Sequence, residues 1–271
     1  MYKKYKTGQE FLDENINLIR SDPLGTTFFE GNAKMIPQCN DKNYAVRIET
    51  NGELLLSIRV DGYPLVVYGS ERCASELAHV IAENKFQFSK AIGFYDVTNT
   101  FLVEYEQLVG GSHKVNLSMD IMYCEKVNPC DTSNVERATE KDANEIARLV
   151  VNFTDEAIGE KPEWGEIFSE VLQNINTYAL YRVNGEIVSI GYSNVAGTGL
   201  HRISNVYTKP EYRNKGYSRK VVTFLTEQAL NSGNIPCLHV DQHNPISNRL
   251  YQTIGYVYGK SRYEMIYIPL Q

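Results

Sequence analysis

The stretch Val206-Tyr207-Thr208-Lys209-Pro210-Glu211-Tyr212-Arg213-Asn214-Lys215-Gly216-Tyr217-Ser218 carries the residue types of an anion-binding turn. It leads from a strand through a turn into a helix that opens with small and basic residues. The first turn of a helix has backbone N–H groups without intrahelical partners, and the helix dipole adds roughly half a positive charge there, so an anion settles on it. Gly216 has no Cβ to hold a phosphate away, Ser218 is small and offers a hydroxyl, and Arg213 and Lys215 supply charge at the rim. A second polar grouping lies downstream. There Asn244-Pro245 follows the short apolar strand Leu238-His239-Val240-Asp241 and starts a helix that carries Ser247, Asn248, Leu250 and Tyr251 and stops at Gly255.

The elements that hold these groups follow from periodicity. Val221, Val222, Leu225 and Ala229 recur at spacings of three and four, which predicts an amphipathic helix over 216–230 packed on a sheet. A strand is expected at 201–208 before it. Two strand-turn-helix units thus stand in series. The first holds Arg213-x-x-Gly216-x-Ser218, and the second holds Asn244, Leu250-Tyr251 and Gly255-Tyr256. Together they resemble the GNAT superfamily of acyl-CoA-dependent N-acyltransferases, whose first signature is Arg/Gln-x-x-Gly-x-Gly/Ala. Ser218 in the last place of that signature is a departure.

The resemblance implies transfer of an acyl group, acetyl in the usual case, from acetyl-CoA to a primary amine of a small molecule or peptide. The amine attacks the thioester directly, with no metal and no covalent enzyme intermediate. It also implies that Asn214, Lys215, Gly216, Tyr217, Ser218 and Arg219, with Arg213 beside them, meet the pyrophosphate. The strand edge at Val206, Tyr207 and Thr208 would pair with the pantetheine arm, a backbone N–H there polarising the carbonyl. Asn244 would bond a pantetheine amide or cap its own helix, or do both, and Asn248 counts among the cofactor contacts. Tyr251 matches the family's general acid, a role a phenol suits because its pKa near 10 keeps it protonated at neutral pH. The base stays open between His201, which has a suitable pKa but follows the Gly197-Thr198-Gly199 loop, and Asp241 acting through a water. The acceptor site of such folds is lined by the first two helices, which points to Asp155, Glu156, Glu160, Glu163 and Trp164. A solvated connection between helices is the other reading of these residues.

Composition sets the outer limits. The chain has 271 residues, 42% of them hydrophobic, and is long enough for two ordinary domains. A net charge of −6 argues against a general nucleic-acid binder. The cysteines Cys39, Cys73, Cys124, Cys130 and Cys237 are odd in number and scattered, with no C-x-x-C pair, which fits a reducing, cytoplasmic setting. No segment reaches the length of a membrane span, and the basic N-terminus has no apolar run behind it.

The remaining elements fall into two similar sets. Thr7 with Glu10, and Thr139 with Asp142, read as caps of helices bearing Phe11, Leu12, Ile16 and Ile19, and Ile146, Leu149, Val150 and Phe153. Strands are expected at 44–49, 54–60 and 65–68 around the Asn51-Gly52 and Asp61-Gly62 turns, then a helix at 71–83, a strand at 92–95, a helix at 99–108 and a strand at 115–123. The polar stretch at 127–134 is the expected linker between domains at 1–126 and 135–271. Past it, the pattern gives a helix over 162–174 and strands at 178–183 and 186–195. Tyr44-Ala45-Val46-Arg47-Ile48-Glu49-Thr50-Asn51-Gly52-Glu53 aligns with Tyr178-Ala179-Leu180-Tyr181-Arg182-Val183-Asn184-Gly185-Glu186 given one gap, and Asp96-x-x-Asn99 with Gln107-x-x-Gly110 repeats the spacing of Asp241-x-x-Asn244 with Gln252-x-x-Gly255.

The expected fold is therefore α/β (α+β), as tandem GNAT-like folds, each a mixed, mostly antiparallel sheet flanked by helices. In the first half Tyr68-Gly69-Ser70-Glu71-Arg72-Cys73 lacks the phosphate pattern, and Glu106 stands where Tyr251 does, so that half is expected to be degenerate. Two other activities compete with acetyl transfer: an acyl-CoA-binding sensor without turnover, and a tandem aminoacyl-transferase using charged tRNA. The acidic balance and the intact coenzyme A signature argue against the latter. Monomer and homodimer are both open.

Overall fold

Asn51 and Gly52 both take positive φ, 54° and 80°, as a two-residue hairpin turn between alternating strands requires. The hairpin they close belongs to a series that the chain builds twice. In the computed structural model, which describes residues 1–159 and 161–270, the first series is β1 (Tyr2–Lys4), α1 (Gly8–Ser21), α2 (Phe29–Lys34), β2 (Tyr44–Thr50), β3 (Glu53–Arg59), β4 (Leu65–Gly69), α3 (Ala74–Glu83), β5 (Lys90–Gly93), α4 (Tyr95–Val109) and β6 (Ser112–Tyr123). The second is β7 (Val135–Arg137), α5 (Ala143–Ile158), α6 (Trp164–Gln173), β8 (Tyr178–Val183), β9 (Glu186–Gly197), β10 (Leu200–Thr208), α7 (Tyr217–Asn231), β11 (Ile235–Asp241), α8 (Pro245–Ile254) and β12 (Val257–Ile268). The order of elements is the same, and the final strands agree in register, since 112 to 257 and 123 to 268 are both steps of 145 positions. The tandem architecture read from the sequence is the architecture observed.

All the strands join one sheet in the order β1-β2-β3-β4-β5-β12-β6-β11-β10-β9-β8-β7. The two halves therefore exchange their last strands. β12 pairs with β5 of the first half, Tyr263 opposite Gly93, and β6 pairs with β11 of the second, Cys237 opposite Tyr123. β6 and β12 also pair with each other along their whole length, from Val257 opposite Tyr123 to Ile268 opposite Ser112. A strand edge left by either half alone is filled by the other, which removes an unpaired row of N–H and C=O groups from the middle of the molecule.

Strand alternation divides the core between two faces. In the first half Ala45, Leu56, Ile58 and Val66 pack under α1 and α2, while Val46, Ile48, Leu55, Leu65 and Val67 pack under α3 and α4. In the second, Tyr178, Leu180, Ile187 and Ile190 face α5 and α6, and Ala179, Ile203, Leu238 and Val240 face α7 and α8. Val221, Val222 and Leu225 of α7 are wholly buried as their spacing predicts, each worth about 1.5–3 kcal/mol.

Some boundaries differ from the pattern-based reading. The strand expected at 92–95 lies at Lys90–Gly93 and the helix expected from 99 begins at Tyr95, because Phe94 is extended while its carbonyl already takes the Thr98 amide at 3.0 Å. β12 carries Lys260, Ser261, Arg262 and Glu264 and lacks a clean alternation, so pattern alone did not mark it. The Thr7 hydroxyl accepts the Glu10 amide at 3.1 Å, but the Glu10 carboxylate reaches Lys6 N at 2.8 Å instead of closing the box on Thr7; the Thr139–Asp142 box is complete.

Candidate active site

The second half has a V-shaped opening in its sheet. β10 and β11 run parallel but pair only over residues 200–202 and 235–237, although β10 continues to Thr208 and β11 to Asp241. Both arms end in the polar groupings read from the sequence. After Thr208 the chain makes a short turn, passes Asn214 at φ 62° and Gly216 at φ 79°, and enters α7. Two left-handed residues so close together turn successive amides outward, and no protein acceptor takes the amides from Asn214 to Arg219 among the described residues. The first turn of α7 holds no acidic residue, and the space where a Gly216 Cβ would stand is open. This is a nest fit for a pyrophosphate.

The charges expected at the rim are partly engaged. Arg213 donates from Nε to the Thr208 carbonyl at 3.0 Å and from Nη2 to Glu156 at 2.6 Å, and it lies 5.6 Å over the Tyr207 ring. It braces the turn against α5. Lys215 donates to the Glu211 carbonyl at 3.2 Å, Arg219 to that of Pro129 at 3.4 Å. Of the side chains offered for the acceptor, Glu156 is therefore the Arg213 partner. Trp164 stacks on Phe168 at 5.0 Å, Asp155 lies 4.0 Å from Lys161, Glu163 precedes the first residue of α6, and Glu160 lies outside the described residues.

On the β10 arm, Tyr207 is buried and Ser189 donates to its carbonyl at 3.2 Å; Thr208 shares a 2.9 Å hydroxyl bond with the same serine. Between Ser204 and Tyr207 the register with β9 slips, and Asn205 sits at φ 49° with its amide donating to the Tyr178 hydroxyl at 3.2 Å. The sequence reading missed this bulge, although an asparagine inside a strand is a signal for one, since it tolerates the left-handed region. Val206, beside it, packs against the α7 core.

On the β11 arm, Asn244 caps α8: its Oδ1 takes the Ser247 amide at 3.0 Å, while its Nδ2 has no partner among the described residues. One residue can thus cap and still donate to a ligand. Asn248 donates to the carbonyls of Asp241 at 3.0 Å and Asn244 at 2.9 Å, so it clasps the strand end to the helix start. Tyr251 is 8% exposed and lies edge-on to Tyr256 at 6.0 Å, and its hydroxyl has no hydrogen-bond partner among the described residues. Burial pushes its phenol up to about 12, so it holds its proton throughout the physiological range.

The two candidates for the base separate. Asp241 ends the β11 arm, exposed, accepting from the His243 amide at 2.8 Å and facing its Nδ1 at 3.1 Å. His201 lies instead at the closed end of the V, opposite Pro236 and Val195. Strand alternation turns it to the α7 face, its Nδ1 is buried without a partner, and burial, with Arg137 nearby, lowers its pKa. The structure does not bring His201 to the open arms.

No group of His, Cys, Asp or Glu that could hold a metal is found among the described residues, and no described helix is long and apolar enough to cross a membrane.

Residues 142–256 match the family model described as acetyltransferase (GNAT) family, a span that lies in the second half and stops before β12. No curated protein matches the chain. Among solved structures, a GNAT-family acetyltransferase from Colwellia psychrerythraea is similar over 99% of both chains at 15% identity, TM-score 0.61. A Drosophila protein covers 98% of each at 13% and 0.65, and a GCN5-related N-acetyltransferase from Sphaerobacter thermophilus covers 99% of this chain and 96% of its own at 14% and 0.60. The tandem fold itself is thus shared nearly end to end.

Proposed function

We propose, from the match of residues 142–256 to the acetyltransferase (GNAT) family model, that the second half transfers an acyl group, acetyl first among them, from acetyl-CoA directly to a primary amine of a small molecule or peptide. The observation that carries this reading is the run of unengaged amides from Asn214 to Arg219 at the open end of a V between two strands. In that reading the nest holds the pyrophosphate, the unpaired edge of β10 and the Nδ2 of Asn244 hold the pantetheine arm, and the thioester supplies the activated acyl group. The pocket needs only to position the two reactants and donate hydrogen bonds where charge develops. Tyr251, protonated and with its hydroxyl unbonded to any described residue, is the proposed acid for the departing thiolate, and Asp241, at the mouth, the proposed base through a water. The halves at 1–126 and 135–271 are proposed as a framing unit and a catalytic unit, although neither has a complete sheet of its own.

Thiol release from acetyl-CoA against a panel of amines, amino acids, polyamines and peptides tests this, with Tyr251→Phe alongside. Release that depends on one acceptor and drops about 100-fold or more in the variant is the expected outcome. Tight acetyl-CoA binding without release for any acceptor would instead favour a sensor.

A further inference from the structure

The face of the sheet that carries α1, α2, α5 and α6 has a polar centre with several groups that no described residue pairs. Arg202 is the last β10 residue paired with β11, opposite Cys237, and His239 lies two positions further along the other arm. The two therefore flank the fork of the V on the same face. Arg262 of β12 joins them from across the strand exchange, opposite Met119, which is itself opposite Asp241. Phe28, at the end of the α1–α2 connection, roofs the group: its ring centre is 4.7 Å from the Arg262 guanidinium and 5.7 Å from that of Arg202, and its edge contact with His239 spans 5.3 Å.

These donors are left unmatched. Arg262 is 2% exposed; its Nη2 donates to the carbonyls of Leu24 at 3.3 Å and Gly25 at 2.6 Å, while its Nε and Nη1 are buried with no acceptor among the described residues. The Nε of Arg202 and the Nε2 of His239 are likewise buried and unpartnered, and the Arg202 guanidinium makes no hydrogen bond or ion pair with a described residue. The carboxylate whose charge reaches Arg262 is Asp22, and it is already taken by Lys260 at 2.5 Å, the Tyr68 hydroxyl at 3.0 Å and the Gly25 amide at 3.1 Å. Asp22 thus serves Lys260 first and Arg262 only at a distance, and Arg202 has no carboxylate partner among the described residues. A buried donor without an acceptor is costly, more so when it is charged, and an anion placed here would relieve that cost. Burial, with Arg262 and Arg202 adding, holds His239 neutral, which keeps a third positive charge out of the ring of donors. Asn194, opposite Arg202 on β9, contributes the reverse chemistry, a buried Oδ1 with no donor.

We infer that this cluster is the acceptor subsite: Arg202 and Arg262, with neutral His239 in its Nε2–H tautomer on the other arm, hold an oxyanion, carboxylate or phosphate, carried by the acceptor amine, and Asn194 takes an N–H of that amine. The inference rests on the acyl-transfer reading for placing an acceptor at the V. It narrows the substrate class from amines in general to amines bearing a negative charge, of which amino acids are the simplest. It also gives the first half a part in recognition, since the carbonyls of Leu24 and Gly25 orient the Arg262 guanidinium and the Phe28 ring lies over both guanidinium groups.

The test measures thiol release with acceptors matched in length: free amino acids, their α-amides, an aminoalkyl phosphate and a neutral alkylamine, for wild type, Arg202→Gln and Arg262→Lys. An anionic acceptor should exceed its uncharged match by on the order of 100-fold in kcat/KM, and Arg202→Gln should cut that advantage roughly tenfold or more while the KM for acetyl-CoA holds. Whether the carboxylate or the phosphate series leads names the oxyanion. Arg262→Lys keeps the charge and loses the fork, and with its melting transition intact it should lose most of the same advantage. Equal rates for acid and amide, a preference for polyamines, or a loss that falls on the KM for acetyl-CoA overturns the inference. If no acceptor releases thiol, calorimetric titration with glutamate and with inorganic phosphate decides separately. Binding that disappears in Arg202→Gln keeps the oxyanion site and removes only the transfer reading; no binding to the wild type removes the site.

Discussion

The turn after β4 is sealed, and its counterpart after β10 is open. In the first half Ser70 donates its amide to Leu54 at 2.8 Å, accepts the Cys73 amide at 3.1 Å on its carbonyl and the Arg72 amide at 3.2 Å on its hydroxyl, and bonds the Glu53 carboxylate. Glu71 then opens the helix with a negative charge and accepts from Thr100 at 2.8 Å. In the second half the corresponding amides have no partner among the described residues, and the first turn of α7 holds no acidic side chain. The same contrast holds one helix later. Glu106, at the position of Tyr251, is bound by His113 Nδ1 at 2.5 Å, and His113 Nε2 lies 3.1 Å from Asn99, at the position of Asn244. One histidine thus joins two positions whose counterparts, the Asn244 Nδ2 and the Tyr251 hydroxyl, have no partner among the described residues. The comparison teaches that in this fold a ligand site is made by withholding partners, and that the cheapest way to retire one is to let the protein bond to itself.

The two halves are separable by experiment. Because β6 and β12 are exchanged, fragments 1–126 and 127–271 should each fail to give a cooperative melting transition, and mixing them should restore one; an independently folded second fragment would mean the exchange is dispensable. Next, Tyr251→Phe should lower kcat about 100-fold or more whereas Glu106→Gln should leave it within a factor of about two, so a comparable loss at Glu106 would mean the first half takes part in the chemistry. Ser218→Glu copies the acidic turn of the first half and should raise the KM for acetyl-CoA roughly tenfold, with kcat at saturation little changed. Asn244→Ala removes a cap and should lower the unfolding free energy by about 1 kcal/mol with a severalfold rise in that KM, while Asn99→Ala should touch stability alone.

The smallest expected effect is alkaline. Burial raises the Tyr251 phenol to about 12, so the fold favours its protonated form; that stability is present below the ordinary tyrosine value of 10 and is lost as pH climbs towards 12. Wild type should therefore lose more melting temperature across that window than Tyr251→Phe does.

Much of this was legible before any coordinates. Asn51-Gly52 named its hairpin, Val221, Val222, Leu225 and Ala229 named the buried stripe of α7, and Gly216 and Asn244 marked the two turns that end the arms of the V. His201 misled because a pKa is a property of a side chain, whereas which face it occupies depends on strand register. Arg202, His239 and Arg262 left no motif at all: they lie on separate strands, and each alone reads as an ordinary polar residue in a sheet.

The sequence by itself determined the features set within a turn or two of chain: the nest of amides, the caps, the amphipathic stripes and the repeat of element order. These depend on contacts between residues a few positions apart, which the letters record directly. Only the tertiary structure decided that β6 and β12 change places, that Phe28 of one half covers the fork of the other, and that two arginines and a histidine meet beneath it. Backbone hydrogen bonds between strands carry no residue code, so partners far apart in the chain are chosen by the packing of the whole sheet.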